Sequence, residues 1–153
     1  MTYRIDGLDP APFAGLFGAD AATLAAHGAT RIPVDGPGHP DRVTLRDARP
    51  GETVLLLNHV SVPDGPFRAS HAIYVIEGAD RPWHGTDTLP PVFRGRALSL
   101  RAFDARWMLR DAVVVAGDDA DAAIRRLLDD PETKTIHAHY AARGCYAARI
   151  LRG

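Results

Sequence analysis

Thr135-Ile136-His137-Ala138-His139-Tyr140, then Ala141-Ala142-Arg143-Gly144, then Cys145-Tyr146-Ala147-Ala148-Arg149-Ile150-Leu151, is the stretch that decides the fold. Two β-prone segments separated by a short turn ending in glycine read as an antiparallel hairpin. Side chains alternate along a strand, so His137 and His139 share one face. A three-residue loop, Ala142-Arg143-Gly144, is the expected turn. It places Ala141 opposite Cys145, His139 opposite Ala147 and His137 opposite Arg149, all on that face. A two- or four-residue loop turns the second strand over and replaces Cys145 with Tyr146 on it.

Outward from the hairpin, residues 98–103 and 106–115 read as two strands joined tightly at Asp104-Ala105. Residues 69–76 are rich in β-formers. The unbroken apolar run Val54-Leu55-Leu56-Leu57 fits a central strand covered on both faces. Residues 30–34 and 42–45 alternate as shorter strand candidates. The first 28 residues read as helical: Asp9-Pro10 starts one short helix, and Asp20 caps a second that Gly28 ends. Residues 118–128 form the clearest helix. Ala120, Ala123, Ile124, Leu127 and Leu128 define its apolar face, and its acids and arginines lie at the ends that the helix dipole favours. Residues 78–96, with Pro82, Pro90, Pro91 and Trp83, read as a long irregular loop. The expected fold is a single α+β domain over residues 1–153. It has a mostly antiparallel β-sheet of six to eight strands, two short N-terminal helices and one late helix.

The 153 residues are 46% apolar and 24% charged, with 14 Gly and 12 Pro, which excludes a coiled coil, a helical bundle and a disordered tail. Eighteen basic against nineteen acidic residues leave a net charge of -1, with no electrostatic footprint for nucleic acid or an anionic membrane. Lys134 is the only lysine, and Ala, Gly, Pro and Asp run high beside Arg, so the arginines reflect a GC-rich code as much as phosphate binding. Cys145 is alone, which rules out an intrachain disulfide and fits a reducing cytoplasm. No apolar window is long enough to span a bilayer, and Met1-Thr2-Tyr3-Arg4-Ile5-Asp6 carries no signal pattern. The expectation is a soluble cytoplasmic protein.

The common phosphate, dinucleotide, zinc-protease and nucleophile-elbow motifs are missing. Candidate chemistry therefore rests on clustered side chains. Two imidazoles on one strand face can share a metal ion such as zinc or iron, making His137 and His139 candidate ligands; both also read as hydrogen-bonded structural residues. Cys145 beside a histidine is a candidate nucleophile, with His139 and His137 as its partners; the alternative is a small buried hydrophobe. A second constellation is Asn58-His59 with Arg68-Ala69-Ser70-His71. Here Arg68 offers a planar fork for a carboxylate or phosphate, while His71, on an apolar strand with Ile73 and Val75, fits a core histidine better than a ligand contact. Arg101, in the hairpin that leads through Asp104 to Arg106-Trp107-Met108, reads either as a turn residue or as a guanidinium at a pocket mouth.

Several separated segments resemble the bacterial domain of unknown function 1203 family. They are Tyr3-Arg4-Ile5-Asp6-Gly7-Leu8, Leu45-Arg46-Asp47-Ala48-Arg49-Pro50-Gly51-Glu52, Pro66-Phe67-Arg68-Ala69-Ser70-His71-Ala72-Ile73 and Leu98-Ser99-Leu100-Arg101-Ala102-Phe103-Asp104. The Ile136–His139 and Gly144–Arg149 segments complete the set. The resemblance implies no reaction, cofactor or catalytic residue. Relatives often carry a cysteine after the proline matched by Pro40, where this chain has Asp41.

Two functions follow from these readings. One is a small-molecule pocket built from His137, His139 and Cys145 with Arg68, His71, Asn58 and Arg101 nearby, hydrolytic through the thiol or metal-assisted through the histidines. The other is a non-catalytic binding module, in particular a homodimer that uses edge strands and the loop carrying an exposed Trp83.

Overall fold

Alternation of apolar and polar side chains produces nine strands, all paired antiparallel, in a computed structural model that describes residues 1–153. They are β1 (Tyr3–Asp6), β2 (Thr30–Pro33), β3 (Thr53–Val62), β4 (Ala69–Ile76), β5 (His84–Thr86), β6 (Ala97–Phe103), β7 (Leu109–Ala116), β8 (Thr135–Tyr140) and β9 (Tyr146–Arg152). The helices are α1 (Ala11–Ala14), α2 (Ala21–Ala26) and α3 (Ala120–Leu128). The α+β class, the two short early helices and the single late helix are as expected.

The strands form two sheets. One has six strands in the order β5-β1-β9-β8-β6-β7, and the other has three in the order β2-β3-β4. The central strand expected from Val54-Leu55-Leu56-Leu57 is the middle of the smaller sheet. Ile124, Leu127 and Leu128 of α3 share one core with Leu98, Leu100, Ile136, Ala138 and Ile150. Leu55, Leu57, Ile73 and Val75 of the smaller sheet share a second core with Phe13 of α1 and Leu24 of α2. Asp20 caps α2 by accepting from the Thr23 N–H at 2.8 Å, and Gly28 adopts the left-handed conformation, φ +67°, that ends it.

Several expectations need correction. Nine strands form where six to eight are expected, and residues 104–108 make the β6–β7 turn, so β7 starts at Leu109 and not at Arg106. Residues 3–6 are not part of a helical segment: Tyr3, Ile5 and Asp6 are buried in strand β1, held between β9 and β5. Residues 42–45 make no strand; only bridges join Pro40 to Asp47 and Asp41 to Tyr74. Residues 78–96 are partly regular, because β5 pairs with β1 and Trp83 packs against the larger core. The Trp83 backbone also bonds in both directions, N–H to Val43 O and O from Gly7 N–H, each at 2.8 Å. That ring is therefore not a free contact surface. The hairpin turn differs as well, as described below.

Residues 38–48 join the sheets. Asp41, fully buried, accepts from the Ile76 N–H of β4 at 2.8 Å, and from the Thr44 N–H and hydroxyl at 2.6 Å each. Next to it, Arg42 donates from Nε to the Tyr146 carbonyl of β9 at 2.7 Å. Adjacent residues thus grip opposite sheets. Replacing Asp41 with Ala strands two backbone N–H groups and a hydroxyl, an expected loss of about 4 kcal/mol in denaturant unfolding. Asp41→Asn, which keeps one acceptor oxygen, should lose about half as much. A loss below about 1 kcal/mol for Asp41→Ala would contradict the clasp.

Candidate functional site

The apolar stripe Leu55-Leu57 on β3 continues by alternation into His59, and Ile73-Val75 on β4 runs back into His71. His59 and His71 are register partners. From the larger sheet, β8 presents His137 and His139. His71 meets His139 edge-on with ring centroids 5.1 Å apart, and His137 lies 6.4 Å from His139. Four imidazoles therefore fill the seam where the sheets meet. Both β8 histidines are only 2% exposed.

The hairpin that carries them has a four-residue loop followed by a bulge. Tyr140 N–H donates to Cys145 O at 2.9 Å and Gly144 N–H to Tyr140 O at 2.7 Å. His139 then pairs with Tyr146, while Ala138 pairs with Ala148, so one extra residue sits on β9 between them. Gly144 adopts φ +77°, as the turn requires. His137 still faces Arg149, as expected, but Tyr146 rather than Cys145 joins the histidines. The Tyr146 ring lies 5.2 Å from both His59 and His137 and 6.0 Å from His139. Cys145 is opposite Tyr140, packs against the larger core, and accepts a hydrogen bond from Arg42 Nη2 at 3.2 Å. No imidazole bonds the thiol.

Of the remaining expected residues, Arg101 is the register partner of His137 and flanks the seam, with Nε donating to Ser99 Oγ at 3.2 Å. Asn58 is exposed at the rim of a cavity beside His59. Arg68 lies in the exposed β3–β4 turn, bonded to the Pro63 carbonyl at 3.2 Å, away from the seam.

The most informative residue was not among the sequence candidates. Arg42 is 1% exposed, yet no carboxylate lies within salt-bridge distance of its guanidinium. It donates to the carbonyls of Tyr146 and Pro40 and to Cys145 Sγ, and its Cζ lies 5.1 Å from the Tyr140 ring centroid. Three of its five N–H donors are thereby used. Tyr140, 7% exposed, holds its hydroxyl buried with no hydrogen-bond partner. Burial pushes that phenol up to about 12, so it is a neutral donor at physiological pH. Arg42, Tyr140, Cys145, His71, Arg96 and Arg143 line one cavity of about 610 Å³ that has no acidic residue in its wall. Arg96 is neutralised by Asp47, at 2.6 Å. No signal in the sequence marked Arg42, because its partners lie about a hundred residues away along the chain.

The same charge distribution decides what the histidines can hold. His139 Nδ1 bonds the Gly144 carbonyl at 2.8 Å, which leaves Nε2 as a lone-pair donor. A metal ion there would face Arg42 and Arg101 with no carboxylate to offset its charge. No three His, Cys, Asp or Glu side chains converge in an arrangement able to hold one. The surroundings favour an anion over a cation.

Burial, reinforced by neighbouring histidines and arginines, lowers His137 to about 3 and His139 to about 4. His59 and His71 are lowered too, again mainly by burial. In the unfolded chain histidines titrate near 6.5. The unfolded state therefore binds more protons below that pH, and the stability contributed by neutral burial is complete above about 6.5 and lost as pH falls. His137 and His139 together should cost roughly 3 kcal/mol per pH unit around pH 5. Denaturant unfolding between pH 7 and pH 4.5 measures this slope, which should flatten in His137→Phe. A flat profile in the parent protein would contradict it.

Comparison with known proteins adds one relationship. A family model described as protein of unknown function (DUF1203) matches residues 38–152, which include the Asp41-Arg42 clasp, both seam-forming strand pairs and the Cys145 turn. No curated protein and no solved structure matches. The chain belongs to the DUF1203 family.

Proposed function

We propose that the protein binds a small molecule through a carboxylate or phosphate group in the cavity around Arg42. The observation that carries this reading is a buried guanidinium with no carboxylate. Taking a cation out of water costs several kcal/mol unless an opposite charge or a full set of acceptors replaces the solvent. The carbonyls of Pro40 and Tyr146, the Cys145 sulfur and the Tyr140 ring supply part of that replacement. A bound oxyanion supplies the rest. It would accept from the two unused guanidinium N–H groups and from the Tyr140 hydroxyl, while His71 and Arg143 border the same space.

The ligand would lie beside Cys145 and His71, whereas His137, His139, Asn58, Arg68 and Arg101 of the pocket expected from the sequence do not line this cavity. Binding is the role this geometry supports best. Acyl transfer through the thiol would require a base, and no imidazole reaches it by a hydrogen bond. A single free cysteine fits a reducing compartment.

Isothermal titration with inorganic phosphate and with a small dicarboxylate such as succinate separates the two anion classes. Saturable binding of one class is expected. Tyr140→Phe, which removes only the hydroxyl, should weaken it about tenfold, and Arg42→Gln should abolish it. Unchanged affinity in Tyr140→Phe, or no saturable binding of either anion, would overturn the proposal.

A further inference from the structure

A second cavity, of about 750 Å³, lies at the other end of the seam and shares no wall residue with the Arg42 cavity. His59, His137, Tyr146 and Trp107 bring four rings to it, from β3, β8, β9 and the β6–β7 turn. Trp107 and His137 are tilted against each other with centroids 5.5 Å apart, and Tyr146 meets His137 at 89°. Two observations set this space apart from ordinary core packing. His137 is 2% exposed: its Nδ1 is buried without a partner, while its Nε2, unbonded within the protein, is the ring nitrogen left open. A buried ring nitrogen left without a partner is costly to keep. In addition, Trp107 is held at φ +62°, a conformation a bulky residue rarely adopts. Its turn is braced by Asp104, whose carboxylate accepts from the N–H groups of Arg106 at 2.8 Å and Met108 at 3.0 Å. The strain keeps the indole against the wall of the cavity.

The buried charge at this site is already paired, and the exposed Asp9 has no cation partner. Asp6 takes Arg4 at 3.1 Å and His84 at 2.9 Å, with Arg149 at 3.7 Å, and Asp9 accepts from the Ala11 N–H at 2.9 Å. A ligand here gains little from carrying net charge. It gains from stacking on rings and from satisfying one imidazole.

We infer that this cavity is a binding site for an uncharged planar nitrogen heteroaromatic ring, stacked by Trp107 and hydrogen-bonded by His137. A neutral imidazole offers one donor and one acceptor on divergent sides of its ring, so a ligand ring meets it through the open Nε2 with a single donor or acceptor of its own. Burial keeps His137 neutral throughout the physiological range. Flat aromatic walls accept a planar ring in offset or edge-on contact and fit a puckered saturated ring poorly. The inference does not rest on the anion reading, because the two cavities have separate walls.

The test is a titration with nicotinamide, uracil and adenine, with cyclohexanecarboxamide as a non-planar match for nicotinamide. Binding is followed by ligand-observed saturation-transfer NMR and by the ¹⁵N shifts of the imidazoles. At least one planar probe should bind about tenfold tighter than cyclohexanecarboxamide, and the His137 nitrogens should move while those of His39, outside the cavity, stay put. His137→Phe keeps the ring and removes both nitrogens, and should lose about tenfold in affinity. If that variant does not fold, Trp107→Leu in the half-buried turn should lose the preference for planar probes. The inference is overturned if none of the three planar probes binds, if the saturated control binds equally well, or if the His137 nitrogens do not move. A cavity filled only by water would give the first of these results.

Discussion

Two adjacent side chains, Asp41 and Arg42, hold the two sheets of this protein together. The carboxylate takes a backbone N–H from the smaller sheet and the guanidinium takes a backbone carbonyl from the larger one. Neither side chain is satisfied by its own loop alone, so the loop reaches its conformation only when both sheets are in place. That mutual dependence sets the separation of the sheets. It also sets the width of the seam in which His59, His71, His137 and His139 face one another. Loops usually run over a surface because buried backbone needs partners. Here the partners are provided, and residues 38–48 become an internal strut.

The strut carries a cost that the fold does not cancel locally. Asp41 is saturated by three hydrogen bonds to Thr44 and Ile76, whereas Arg42 keeps a full charge with only neutral acceptors around it. Around it, burial holds the β8 imidazoles neutral, and Arg101 adds positive potential with no carboxylate within salt-bridge distance, whereas Arg149 is offset by Asp6. A core selected for stability alone would place a carboxylate opposite Arg42 or an apolar side chain in its position. Departures of this kind, together with an unpartnered Tyr140 hydroxyl and an unpartnered His137, concentrate along one seam. Local rules are most often broken where a protein binds something.

Much of the scaffold was legible from local pattern. β-Forming composition and alternation located β4 and β8 to the residue and β6 and β9 closely, the apolar run marked only the first half of β3, capping located α2, and the apolar face located α3. Each of these depends on residues a few positions apart. Alternation also put His137 and His139 on one face. The identity of their neighbour turned on a single residue of loop length: one more loop residue exchanged Cys145 for Tyr146, and the β9 bulge then restored the pairing of His137 with Arg149. A bulge is set by tertiary packing and leaves little trace in composition. Strand β1 was hidden because its four residues gain their partners from β9 and β5, far along the chain. Arg42 was hidden for the same reason, since in a proline-rich loop of an arginine-rich chain nothing local distinguishes it from a solvated cation.

The central claim is that Arg42 is a buried cation whose missing partner is an exogenous oxyanion. Its side-chain Nε–H, bonded to the Tyr146 carbonyl and shielded from water, should give a slowly exchanging ¹H–¹⁵N signal in the free protein, unlike the exposed arginines. Titration with phosphate or succinate should shift that signal saturably, with Arg68 and Arg106 unmoved. An Arg42 signal that exchanges as fast as those of the surface arginines, or that stays in place throughout both titrations, would contradict the account.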